Sequence, residues 1–324
     1  MRILATSLLL LLATGTGRAQ QLTDDQLAAR FMPSRFDKFV VDNPGVDDDR
    51  SWTVARVDLD NTGQARYAGI AYGNGHIALL RVIRLAPQPT LVGEAAAATA
   101  CDFQPSLTAI DLDGDQRPEL VMQCTVGNSG NKFASIFHWT GTTLSVLNPA
   151  NPRRENAWSP ILDPDFADLE GNGVLDVLEP AEDRAANGAS PSLSFNVYRL
   201  RNGTLTKTAL HAAYLGLFTR GSGQPETVTE QFTTAPGQYQ LVIANGEHGQ
   251  NMVDSGVVVL NGKTVVTPDS FEQPVRVIKL PISVSDSQNT IAVQLRSKPG
   301  SLLRVALLSG DVTATAAPKK KLTK

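Results

Sequence analysis

The chain has 324 residues, with 32 acidic against 29 Lys and Arg side chains and a formal charge of −3. A length of this order allows about two domains, and the acidic balance excludes the basic face that a nucleic acid partner asks for. After the N-terminus no apolar run approaches the roughly 20 residues of a membrane-spanning helix, so an integral membrane protein is not expected.

Residues 1–19 read as a secretory signal peptide: a basic start at Met1-Arg2, an apolar core at Leu8 to Leu12, and small Gly17 and Ala19 before the cleavage point. Its loss removes Arg2 and Arg18 and takes the formal charge from −3 to −5. The expected location is secreted or periplasmic. Residues 20–45 form an N-terminal helical segment that begins at an N-cap, Thr23. Beyond it helical periodicity largely disappears.

Residues 46–215 contain a repeated acidic loop. One copy runs Asp111-Leu112-Asp113-Gly114-Asp115-Gln116-Arg117-Pro118-Glu119, and a second runs from Asp168 through Glu170, Asn172 and Gly173 to Asp176. A degraded copy begins Asp58-Leu59-Asp60-Asn61-Thr62-Gly63, so the loop starts recur 53 and then 57 residues apart. Each repeat has the same order. An alternating strand enters the loop (53–57, 106–110, 165–167), an apolar strand leaves it (67–71, 120–123, 175–178), and a hairpin follows, closed in the last repeat by the turn pair Asn202-Gly203. Four short antiparallel strands are the unit of a propeller blade.

Side-chain oxygens at relative positions 1, 3, 5 and 9 suit a hard cation such as Ca2+, which takes about six to eight oxygen ligands. The expected ligands are Asp111, Asp113, Asp115 and Glu119 in the middle loop, and Asp168, Glu170, Asn172 and Asp176 in the last, each joined by the carbonyl of the seventh residue. In the first loop Arg66 stands at position 9 and is expected to neutralise Asp58 and Asp60 in place of a metal. Residues 168–179 also satisfy an EF-hand spacing with Glu179 at position 12, but Pro164 and Pro180 oppose the flanking helices that motif needs. Cys101 and Cys124 flank the middle loop. They form either a disulfide, as an oxidising compartment allows, or two buried thiols.

These loops resemble the FG-GAP/VCBS repeats of integrin alpha-subunit propellers and of many exported bacterial proteins. The resemblance covers roughly residues 46–212. It implies a β-propeller whose Ca2+ ions brace the loops of one face, with ligand binding elsewhere. Only three blades are legible where such propellers usually have seven. Their open edges must then be covered by the C-terminal domain, by a second copy in a homo-oligomer, or by further blades.

A linker is expected over 216–224, where Gly221-Ser222-Gly223-Gln224 breaks the pattern. Residues 225–311 carry six or seven further strands at the spacing of an Ig-like β-sandwich, with Asn261-Gly262 as a hairpin turn. Residues 312–324 are a basic disordered tail containing Lys319-Lys320-Lys321. The four histidines are scattered and no nucleophile elbow occurs. The fold expected is thus all-β, a short propeller followed by a sandwich. The function expected is a secreted, non-enzymatic, calcium-binding protein that recognises a protein or carbohydrate ligand. The alternatives are a secreted carbohydrate-active hydrolase or lyase, and an envelope-assembly subunit.

Overall fold

The computed structural model describes residues 22–36, 50–127, 130–153, 157–183, 192–246, 250–272 and 275–309, so the expected signal peptide and the expected basic tail lie outside the described residues. Helix α1 (Asp24–Arg30) occupies part of the expected 20–45 segment. Thr23 and Gln26 cap it reciprocally: the Thr23 hydroxyl accepts the Gln26 N–H at 3.2 Å, and the Gln26 side chain accepts the Thr23 N–H at 3.0 Å. Among the described residues no helix is long and apolar enough to cross a membrane.

Among the described residues the strands that follow α1 pair antiparallel, and a short 3-10 helix, Pro268–Phe271, interrupts them. Strands β1 (Ser51–Val57), β2 (Tyr67–Gly73), β3 (Ala78–Arg84) and β4 (Thr90–Ala96) form one four-stranded meander. A second consists of β5 (Ser106–Ile110), β6 (Glu119–Thr125), β7 (Lys132–Trp139) and β8 (Leu144–Val146), with the short β9 (Ile161–Leu162) added to the start of β7. The third comprises β10 (Asp165–Ala167), β11 (Asp176–Asp183), β12 (Ser192–Arg201) and β13 (Thr204–Thr219). Between β12 and β13, Asn202 and Gly203 adopt φ of 51° and 73°, the left-handed pair that a two-residue hairpin requires.

The meanders stack through apolar faces. Leu80, Val82, Leu107, Met122 and Phe137 fill the space between the first and second. Leu112, Val121, Ile136, Val177 and Leu205 fill that between the second and third. The outer face of the first meander is covered by Leu27, Ala28 and Phe36 of the N-terminal segment, packed on Ile70, Tyr72, Leu79 and Ile83. None of the sheets closes on itself.

The expected linker begins inside a strand. β13 runs unbroken to Thr219, pairing with β12 through its first half and with β20 (Leu302–Ser309) through its second. Alternation of apolar residues continues through Tyr214 and Phe218, so the polar Gly-Ser stretch starts later than composition suggested. The remaining strands are β14 (Thr227–Thr233), β15 (Gly237–Asn245), β16 (Gly256–Leu260), β17 (Lys263–Val266), β18 (Val277–Val284) and β19 (Gln288–Leu295). β20, β15 and β18 extend the third meander into a seven-stranded sheet in the order β10-β11-β12-β13-β20-β15-β18. The sheet β14-β19-β16-β17 packs against its far half around Leu241, Ile243, Val258, Ile291, Val293 and Val305. A two-layer β unit is therefore present, but it shares a sheet with the third repeat and is not a separate bead on a linker. Of the three covers considered for the open edges, the C-terminal unit takes the outer edge of the third repeat.

Candidate metal centre

All three acidic loops share one backbone. Relative positions 4 and 6 are left-handed in each: Asn61 and Gly63 at 53° and 77°, Gly114 and Gln116 at 78° and 69°, Gly171 and Gly173 at 76° and 88°. Gln116 adopts this conformation without glycine's freedom. The first carboxylate holds the turn by accepting two loop amides. Asp111 takes the N–H groups of Gly114 and Gln116 at 2.8 and 3.0 Å, and Asp168 takes those of Gly171 and Gly173 at 2.6 and 2.8 Å. Asp58 accepts from Thr62 and Gly63 at 3.0 and 2.5 Å.

The loops also touch in a row. The Asn61 amide donates to Gln116 at 3.2 Å, and the Leu175 N–H donates to the Leu112 carbonyl at 2.9 Å. A Cβ at Gly114 would stand 3.1 Å from the Gly173 carbonyl oxygen, a tight approach at a left-handed position.

In the middle loop one carboxylate oxygen from each of Asp111, Asp113 and Asp115 lies within 4.8 Å of the others, the only such trio found among the described residues. The donors are all hard oxygens, which fits Ca2+ or Mg2+ rather than a soft transition metal. Partial burial pushes the Asp113 carboxyl above its usual range, and the charges of Asp115 and Asp111 add to the push. The trio thus concentrates negative charge on one tight turn.

Glu119, expected as the fourth ligand, does not join the trio. It is completely buried; one oxygen accepts the Leu112 N–H at 2.8 Å and the other lies 2.8 Å from Nδ1 of His138. Burial pushes Glu119 up, against the pull of His138, whose own affinity for a proton is raised by the hydrogen bond to Glu119. The ninth position therefore braces the loop from below. Spacing within the loop could not reveal His138. It reaches Glu119 only through the β6–β7 register, in which Leu120 faces Phe137.

Two further expectations need correction. Arg66 makes no ion pair with Asp58 or Asp60 among the described residues; the Thr62 hydroxyl reaches Asp60 at 2.9 Å and its amide reaches Asp58, so the turn is satisfied locally. The last loop does not gather Asp168, Glu170 and Asp176 into a metal-compatible group. Its Glu170 and Asp176 are paired instead with Arg199 on β12, at 2.8 and 2.7 Å. Asn172 uses its side-chain oxygen on the Val174 N–H at 2.9 Å. Glu179, the twelfth position of the EF-hand spacing, accepts from the Leu162 N–H at 3.0 Å and the Tyr198 hydroxyl at 2.7 Å, which makes it a strut between strands.

Asp176 is 4% exposed, and burial pushes its carboxyl up to about 6 in spite of Arg199. A carboxyl with a raised folded-state pKa holds its proton longer in the native chain than in the unfolded one. Its contribution is full below pH ~4 and is lost as pH rises through about 6. The stability difference between the wild type and Asp176→Asn is expected to shrink by about 2–3 kcal/mol across that window. Urea melts of both chains at pH 4 to 7.5 check this, and a flat difference contradicts it.

Neither a family description nor a curated protein matches the sequence. Among solved structures the chain is similar to an exo-beta-1,3-galactanase from Phanerochaete chrysosporium, at 12% identity over 79% of this chain and 82% of that one, with a TM-score of 0.21. It is also similar to a fructofuranosidase from Schwanniomyces occidentalis, at 8% identity over 83% and 72%, TM-score 0.22. A family 35 carbohydrate binding module from Clostridium thermocellum matches 45% of this chain and 97% of its own at 11% identity, TM-score 0.17. Superpositions this loose carry no argument about what this chain does.

Proposed function

We propose that this is an exported, non-enzymatic binding protein of the FG-GAP/VCBS-like type, stiffened by one Ca2+ ion at Asp111, Asp113 and Asp115. The observation that carries the reading is the convergence of three carboxylates on one tight turn. An ion there offsets the repulsion of those charges and locks a loop that touches both neighbouring loops. The β-sandwich half then serves as the contact module for a protein or carbohydrate ligand. The trio would supply the hard oxygen donors, while Glu119 and His138 hold the turn to which they belong.

Calcium binding to the folded chain alone stabilises it by RT ln(1 + [L]/Kd), about 2.7 kcal/mol at a hundredfold excess over Kd. Thermal melts with calcium and with chelator are expected to differ by several degrees, and Asp113→Ala to erase the difference. Identical midpoints for the wild type in calcium and in chelator sink the proposal.

A further inference from the structure

The last acidic loop matches the calcium pattern better than the middle one in one respect, since Gly173 stands at its sixth position. Its electrostatics point the other way. In each repeat a residue on the third strand lies beside the ninth loop position. Leu120 faces Phe137, which brings Glu119 beside His138; Val177 faces Tyr198, which brings Asp176 beside Arg199. The two partners differ in reach and in charge. His138 bonds Glu119, and among the described residues no ion pair links it to the three aspartates. Arg199 bonds Asp176 through Nε at 2.7 Å and extends Nη1 to Glu170 at 2.8 Å. One guanidinium therefore spans positions 9 and 3 of the loop, two of the four side-chain places a dication would need.

The loop is also engaged on its outer side. A Cβ at Gly171 would lie 3.1 Å from the side chain of Val277, and one at Gly173 would lie 3.8 Å from Nη1 of Arg276. Arg276 and Asp168 line a cavity of about 30 Å³ with Asn245 and Gly246 of the C-terminal unit, room for about one water. Two arginines thus flank this loop, whereas the residue of the middle repeat equivalent to Arg199 is His138.

We infer that Arg199 stands in the last loop in place of a dication, making that loop a metal-independent strut that fixes the third repeat to the C-terminal unit. The residues do not fit the ion that the FG-GAP/VCBS-like pattern implies here. A permanent cation already pairs two of the carboxylates, and a dication brought beside it would meet like charge in a partly buried place. Arg199 is a positioning residue: its bidentate fork holds β12 against the loop in a way that lysine or calcium would not reproduce. The reading holds whether or not the middle loop takes calcium.

Calcium titration calorimetry on the Asp113→Ala chain, together with melts of Arg199→Met, tests it. The Asp113→Ala chain is expected to bind no calcium at millimolar concentration. Residual calcium binding in that chain that is lost on adding Asp168→Asn overturns the inference. Arg199→Met is expected to lower the melting midpoint by about 5 °C, equally in calcium and in chelator, because it strands partly buried carboxylates. An unchanged midpoint also overturns it. Absence of calcium binding by the wild type would overturn the proposed function and leave this inference standing, so the two failures are told apart.

Discussion

Phe36→Ala is expected to destabilise the chain by about 3–5 kcal/mol, the cost of emptying a fully buried aromatic position. Phe36 is wholly buried and meets Tyr72 edge-on, with ring centroids 6.2 Å apart and an interplanar angle of 79°. Together with Leu27 it covers a face of β2 and β3 made of Ala68, Ile70, Leu79 and Ile83. Among the described residues no further meander packs on that face. The Tyr72 hydroxyl fastens the cover by donating to the Ala28 carbonyl at 2.9 Å. In stacked repeats a terminal unit must present something other than a bare apolar face, and α1 with Phe36 is that unit. Chemical denaturation compares Phe36→Ala with Phe103→Ala, whose ring is 56% exposed and whose loss is expected to cost under about 0.5 kcal/mol. Equal effects from the two variants would show that the N-terminal segment is not a cap.

That cap explains part of what could be read from the sequence and part of what could not. The repeat itself was legible, since acidic turns followed by apolar runs mark the strands on either side of each loop. The turn at Asn202-Gly203 was legible for the same local reason. How three repeats end was not, because it depends on a helix packing against strands some 40 residues later. The boundary near residue 216 misled for a related cause: β13 keeps its alternation past Tyr214, and only its change of partner from β12 to β20 marks the transition. Loop chemistry divides along the same line. Convergence of Asp111, Asp113 and Asp115 follows from a five-residue turn. The fates of Glu119 and Asp176 follow from cross-strand neighbours, His138 and Arg199, about 20 residues away. The middle and last loops each show four side-chain oxygens in sequence, and nothing within either loop shows the charge beside the fourth.

Removing the Cys101–Cys124 disulfide is expected to cost ~3.4 kcal/mol, the chain entropy released to the unfolded state when a closed loop of 23 residues is opened. The bond is present although Cys101 lies before the start of β5. The chain turns after it, so that the Asp102 N–H meets the Thr125 carbonyl at 3.0 Å and brings Cys101 back beside β6. Gly73 leaves the room: a Cβ there would stand 2.7 Å from that of Cys101. The closed loop contains β5 and the whole of the Asp111–Glu119 turn, so disulfide and metal act on the same segment by different routes. The disulfide restricts the unfolded chain, whereas an ion would bind the folded turn, whose shape is kept by Glu119 on the Leu112 amide. The two contributions are therefore expected to add. A Cys101→Ala/Cys124→Ala chain melts lower than the wild type and ignores reductant, yet keeps the full calcium-dependent rise in midpoint. Loss of that rise in the double variant would mean that the disulfide, and not Glu119 with His138, holds the aspartates together.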